Sequence, residues 1–411
     1  MGLKIEVSMI RPAPMLPALV LVLAAARCTP STASRSDAAD AASPALSSTE
    51  FATLVEQLSE PGGYFPSDNL VSNETSYLHV LGTIASMGVR GGAYLGVGPD
   101  QNFSYIAAIR PELAFMIDIR RDNLLHHLLM KALFENSRNR TEYLCQFLGV
   151  PLPRDVERWN DATLAEIVTY VDSVAPDRES FERAAEKVRD SVTTFGLKLS
   201  SDDLATIRAI HTAFYRDGLD IRYSNRGRFS PFPTWRQLLF QTDLDGRMRN
   251  YLASEDDFRF VKAMEARNRI IPVVGDLAGP HALGAIGREI GARGLRVSVF
   301  YVSNVEQYLF QGAGFERFAE TVAGMPFDQK SVLIRSFFRG LHPYNVPGHM
   351  STQLVEPIEL FAAERRNGGY HSYFEVVSKN IIPPRDTVAR RMRFPGDRAI
   401  RLPRRSRTPA R

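Results

Sequence analysis

The sequence predicts an α/β protein in which a mostly parallel, doubly wound sheet is interrupted by a large helical insertion. Three observations carry this. An apolar run beginning at Ala93, a Gly-rich polar turn and a helix lead into a second apolar run ending at Ile119, the pattern of a βαβ unit with a parallel strand pair. From about Asn136 to Arg267 charges recur with helical periodicity, and no segment alternates convincingly as a strand. Strand and helix then alternate again between Ile270 and Phe337, as an α/β sheet requires.

Each element has a local reason. An amphipathic helix is predicted over residues 50–58, broken by Pro61-Gly62-Gly63. A second helix is predicted over 72–87, started by Ser72 or Asn73 and ended by Gly91-Gly92. Residues 93–97 read as a strand, Pro99 to Asn102 as a polar turn, the stretch to Ile109 as a helix, and 113–119 as the next strand. Residues 124–134 form a strongly apolar helix. Inside the insertion, Arg226-Gly227-Arg228-Phe229-Ser230-Pro231-Phe232-Pro233 and Trp235 mix aromatic, basic and turn residues in a way suited to a lid. Strands follow over 270–274, 295–302 and 331–337, with a Gly-interrupted helix over 280–292. Residues 371–377 alternate like an antiparallel partner strand, which Ile381-Ile382-Pro383-Pro384 would stop.

The predicted organisation is a leader (1–28), a flexible linker (29–48), a first part of the sheet domain (49–135), the helical insertion (136–267), the second part of the domain (268–384) and a basic tail (385–411). Lys4 and Arg11 precede an apolar stretch from Met15 to Ala26, and Ala24-Ala25-Ala26 offers small residues for cleavage, which reads as an export signal. The stretch is too short to span a bilayer. Cys28 resembles a lipoprotein attachment cysteine, with Arg27 in place of the usual small residue, so membrane attachment through the N-terminus is one expectation. Translation could begin at Met9, and a mistaken upstream start or a disordered apolar leader that is no signal, which would leave the protein cytoplasmic, is the alternative. The linker is rich in Ala, Ser, Asp and Pro and nearly lacks large apolar groups. The formal charge of +4 hides an asymmetry: the tail holds ten arginines against two aspartates, leaving residues 1–384 at −4. A solvated tail is expected rather than a nucleic-acid contact, because aromatics are absent from it apart from Phe394. Without the leader only Cys145 remains, so no internal disulfide can form and no thiolate cluster exists for zinc; its apolar helical surroundings predict a buried, inert thiol.

The strongest chemical signal is Gly96-Val97-Gly98-Pro99-Asp100 after the first strand, with Asp118 closing the second. Paired glycines let a backbone turn sharply beside a ligand, and a carboxylate at the next strand end can accept hydrogen bonds from ribose hydroxyls or cap the following helix. This order resembles the class I S-adenosylmethionine-dependent methyltransferase fold over residues 72–134 and 270–337. The resemblance implies S-adenosylmethionine as cofactor, with Gly96 and Gly98 as the paired glycines and Asp118 as the ribose acid. It further implies Asp276, after Gly275, as the acid facing the adenine amino group, and Asn304, after Ser303, near the methyl donor. In that fold the helix before the first strand crosses the pocket, so Glu74 and Tyr77 could contact the cofactor; Glu74 could equally be a first-turn helix acid. Tyr301, Glu306 and Tyr308 are the other polar candidates near the methyl position.

Two positions depart from the family pattern: Tyr94 replaces the acid before the first glycine, and Asp100 occupies the third glycine position. A carboxylate there disfavours a pyrophosphate more than a sulfonium, and Gln101 stands where a dinucleotide fingerprint needs glycine. The adjacent His126-His127 pair diverges by about 100° on a helix, and the remaining histidines lack ligand spacing, so no metal centre is expected. Neither a nucleophile elbow nor a P-loop is present. Two readings result: a methyltransferase-like enzyme acting on a small-molecule acceptor that the sequence does not name, or an exported, non-catalytic relative of the same fold that binds a ligand or protein at the cell envelope. The export signal favours the second, because the methyl donor is made in the cytoplasm.

Overall fold

The computed structural model describes residues 44–224, 231–338 and 342–384. The leader, most of the linker, residues 226–230 of the aromatic-basic loop and the tail lie outside the described residues. Six strands, β1 (Ala93–Gly96), β2 (Leu113–Asp118), β3 (Ile270–Val274), β4 (Val297–Ser303), β5 (Val332–Phe337) and β6 (Thr352–Pro357), form one sheet in the order β3-β2-β1-β4-β5-β6. All neighbouring pairs are parallel except β5 with β6. The chain therefore winds outward from β1 to β3, returns to the centre, and winds the other way from β4. That reversal between β1 and β4 is the place where open α/β sheets leave a crevice at their strand ends. The first three strands are buried along nearly their whole length, as strands covered on both faces are. Pro272 fits because β3 is an edge strand.

The helices around the first half of the sheet are α1 (Ser48–Leu58), α2 (Leu81–Ser86), α3 (Gln101–Ile109) and α4 (Arg121–Asn136). Those of the insertion are α5 (Arg140–Leu148), α6 (Leu164–Ser173), α7 (Arg178–Thr194), α8 (Ser201–Asp217), α9 (Trp235–Leu239) and α10 (Glu255–Ala266). The second half adds α11 (Ala282–Ala292), α12 (Val305–Leu309), α13 (Gly314–Ala323), α14 (Ile358–Arg366) and α15 (Tyr373–Val376). Side-chain caps start many of them: Ser47, Thr163, Ser200 and Thr234 form capping boxes with the residue three positions on, and Asn139, Asp177 and Ser254 accept single backbone N–H bonds. Helix α4 is buried nearly all round because it lies between β2 and β3 on one side and α7, α8 and α10 on the other. The insertion thus shares one apolar core with the sheet.

Three sequence expectations need correction. Residues 371–377 are not a strand: Ser372 caps the short helix α15, and the antiparallel partner of β5 is β6. Strand β6 escapes an alternation test because Thr352, Gln353 and Glu356 are buried with the apolar residues and satisfied by side-chain partners. The helix expected over 72–87 begins only at Tyr77, as a 3-10 turn to Val80, before α2. The Glu74 amide instead donates to Ser72 Oγ at 3.1 Å, a local turn that delays the helix, so Glu74 is not a first-turn helix acid. Finally, Glu306 is no free polar group: it is fully buried and paired with Arg335.

Candidate functional site

A cavity of about 320 Å3 lies over the C-terminal ends of β1 to β4, at the reversal of strand order. Its size falls in the range of roughly 300–1,000 Å3 common for small-molecule sites. Gly98, Asp118, Asp276, Glu74 and Asn304 all line it, so four strand ends and the segment before α2 converge on one cavity. Gly96 does not line it. A Cβ on Gly96 would overlap Asn102 Oδ1 and press on the Tyr94 hydroxyl, which donates to that same oxygen at 2.6 Å. Asn102 Nδ2 in turn donates to the carbonyls of Val97 and Pro99 at 3.0 and 2.7 Å, holding the turn in shape. Gly96→Ala should therefore overpack the turn, costing ~1–3 kcal/mol in urea unfolding; an unchanged midpoint would show that the turn yields freely. Gly98 has φ +84°, a backbone state that favours glycine, and its carbonyl accepts a hydrogen bond from His127 Nε2 at 3.0 Å.

Asp118 is engaged within the protein. Its Oδ1 accepts from the Arg120 amide at 2.9 Å and Arg120 Nε at 3.2 Å, and its Oδ2 from Arg120 Nη2 at 3.2 Å. Arg120 Nη1 also donates to the carbonyls of Ser67 and Asp68 at 3.0 and 2.8 Å. The guanidinium so ties the end of β2 to the chain before Asn69, which runs across the strand ends as a roof. That roof is fixed elsewhere by Glu60 N to the Val274 carbonyl, Gly63 N to the Ile119 carbonyl, and Ser224 N to Asp68 Oδ1. Asp118 keeps an acceptor direction on Oδ2 for a ligand hydroxyl. Asp276, half-buried, accepts from the Ala278 amide through Oδ1 at 2.9 Å.

Glu74 is 1% exposed. Its Oε1 accepts from Ser303 Oγ at 2.5 Å and its Oε2 from Gln353 Nε2 at 2.7 Å, joining the exit of β4 to β6. Ser303 takes φ +52° at a slip in the β4–β5 register, an unfavourable state for a side-chain-bearing residue that Glu74 helps hold. Tyr301 also lines the cavity, and its hydroxyl accepts from Gln101 Nε2 at 2.7 Å; burial, then the charge of Glu74, pushes its pKa well up and keeps the phenol neutral. Tyr77, in contrast, faces the interior, donating to the Leu238 carbonyl at 3.2 Å.

Tyr94 and Asp100, which depart from the resembled pattern, have structural uses. The Tyr94 hydroxyl supports the turn from behind. Asp100 points into the insertion, where its Oδ2 accepts from Trp235 Nε1 at 2.9 Å and the Tyr251 hydroxyl at 3.2 Å; burial pushes its carboxyl up to about 6. The N-terminus of α11 is likewise filled from within: Glu60 accepts from the amides of Asp276, His281 and Ala282. Cys145 is buried, and burial pushes its thiol up to about 12, in keeping with an inert role. Among the described residues no group of three or more His, Cys, Asp or Glu could hold a metal ion, and no helix is long and apolar enough to cross a membrane.

Sequence reasoning missed Arg120, the roof residues Tyr64 and Phe65, and Tyr223 from the insertion, all of which line the cavity. Only Arg120 had a local signal, two positions after the strand-end acid. A comparison with curated proteins gives no match. The profile described as "Domain of unknown function (DUF7790)" matches residues 69–372, a span that includes the whole sheet, the insertion and every strand-end residue of the cavity, and the chain belongs to that family.

Proposed function

We propose that the cavity binds a nucleoside-containing cation of the S-adenosylmethionine type, and that the protein is methyltransferase-like with a small-molecule acceptor. The observation that carries this reading is the pair Asp118 and Asp276, on the ends of adjacent strands and lining one cavity at the reversal of strand order. Asp118 can accept from a ribose hydroxyl and Asp276 from an exocyclic amino group. The donor set fits the cofactor in charge as well. Arg120 is the cavity's one cationic side chain among the described residues and is already paired, while the Glu60 carboxylate fills the N-terminus of α11 that could otherwise attract phosphate, and Asp100 sets a further carboxylate at the start of α3. S-adenosylmethionine, when bound, supplies a methyl group on a positively charged sulfur. Asn304 and Ser303 would border that end, and Glu74 would hold them in position.

A specific observation favours the second reading, an exported non-catalytic relative that binds a small ligand or a protein at the cell envelope. Arg120 occupies both oxygens of Asp118, which leaves one hydroxyl acceptor where a ribose diol would use two. Titration calorimetry of the full chain with S-adenosylhomocysteine, with NAD as control, separates them. Micromolar binding of the first alone is expected, weakened roughly 10- to 100-fold in Asp276→Asn and in Asp118→Ala. Folded protein that takes up neither compound would remove the cofactor reading and leave the non-catalytic one.

A further inference from the structure

The mouth of the cavity has a composition that the nucleoside reading does not use. Phe65 and Tyr308 meet edge to face with ring centroids 5.2 Å apart, and Tyr64 and Tyr223 line the same cavity. Tyr64 is 66% and Tyr308 42% exposed, so two of the rings stand at the opening, whereas Tyr223 is buried. They come from three distant parts of the chain: the roof, the insertion and α12. The charge of the lining is one-sided, with Glu74, Asp118 and Asp276 against Arg120 among the described residues.

Aromatic faces and surplus negative charge select the same kind of group. A ring face attracts a cation through its quadrupole, and the attraction grows as water is excluded. An anion would meet two unbalanced carboxylates. A cation with an apolar skin satisfies both features at once. We propose that the aromatic mouth formed by Phe65, Tyr308, Tyr64 and Tyr223 is a binding site for a methylated onium group, a small quaternary or tertiary ammonium or a sulfonium.

Choline and its uncharged isostere 3,3-dimethylbutanol are the probes, titrated against the full chain by ligand-observed NMR. Choline should bind roughly tenfold more tightly than the alcohol, and Phe65→Leu and Tyr308→Leu, which keep apolar bulk but lose the ring, should each remove most of that preference. Equal binding of the two probes would overturn the proposal, as would no binding of choline to protein whose thermal melt is normal. Repeating the choline titration with S-adenosylhomocysteine present identifies the source of the onium group. Retained binding assigns it to a second molecule beside the nucleoside, and competition assigns it to a single ligand. The choline result stands whether or not S-adenosylhomocysteine itself binds, so a failure of the cofactor reading is distinguishable from a failure of this one.

Discussion

Replacing Arg335 by methionine should destabilise the protein by about 3–5 kcal/mol, the largest effect expected of a single substitution here. Arg335, Glu306 and Glu356 are all fully buried. Arg335 Nε and Nη2 donate to the two oxygens of Glu306 at 2.5 and 3.1 Å, and Nη1 donates to Glu356 Oε2 at 2.6 Å. The Tyr370 hydroxyl completes the group at 2.5 Å from Glu356 Oε1, and the guanidinium lies over the Phe361 ring. Burial already pushes the Glu306 carboxyl up; without the cation two carboxylates would share a dry interior. Much of the loss should return in the triple variant Arg335→Met, Glu306→Gln, Glu356→Gln, because desolvation of unpaired charge is the main cost. Urea midpoints at constant m-value test this. A single variant within 1 kcal/mol of the parent would mean that water reaches the cluster.

The second large effect depends on pH. Burial pushes His127 down to about 4, even though the Gly98 carbonyl favours its charged form. An unfolded histidine takes up a proton near 6.5, so the folded state refuses a proton that the unfolded state accepts. The stability that follows is fully present above pH 6.5 and is lost as pH falls toward 4. Relative to His127→Leu, the parent should lose roughly 2–3 kcal/mol between pH 7 and pH 4.5. Asp100 has the opposite sign. Its folded pKa, raised to about 6 from 3.8, gives stability below pH 3.8 that is lost as pH rises through 6, so Asp100→Asn should gain on the parent from acid to neutral pH. Parallel unfolding curves for parent and variants across this range would sink both assignments.

Arg335 and Asp100 also show what the sequence could and could not reveal. Strands β1 to β4 were legible as mainly apolar runs bounded by turn residues, and β5 from Val332-Leu333-Ile334 despite Arg335 and Ser336; Gly98 and Asp118 followed from their position at strand ends, and Asp276 from the resemblance. Strand β6 was hidden because its polar residues are buried against Arg335, Ser336 and Glu74, partners that are distant in sequence. Asp100 read as a departure from a cofactor motif, yet its partners Trp235 and Tyr251 lie 135 and 151 residues away, beyond any local pattern. The occupation of Asp118 by Arg120 was the local feature within reach: a guanidinium two residues after a strand-end carboxylate can fold back on it.

The roof has a consequence for how the family's boundaries are read. The matched span begins at Asn69, after Glu60, Gly63, Tyr64, Phe65 and the carbonyls of Ser67 and Asp68. Those residues plug one helix end, cover two strand ends and give Arg120 its second set of partners. A chain trimmed to residues 69–372 would keep Glu74, Asp118 and Asp276 of the cavity and lose Tyr64 and Phe65 from its lining, together with the Ser67 and Asp68 carbonyls that hold Arg120. The stretch before the matched span thus completes a cavity whose acidic side chains all lie within it.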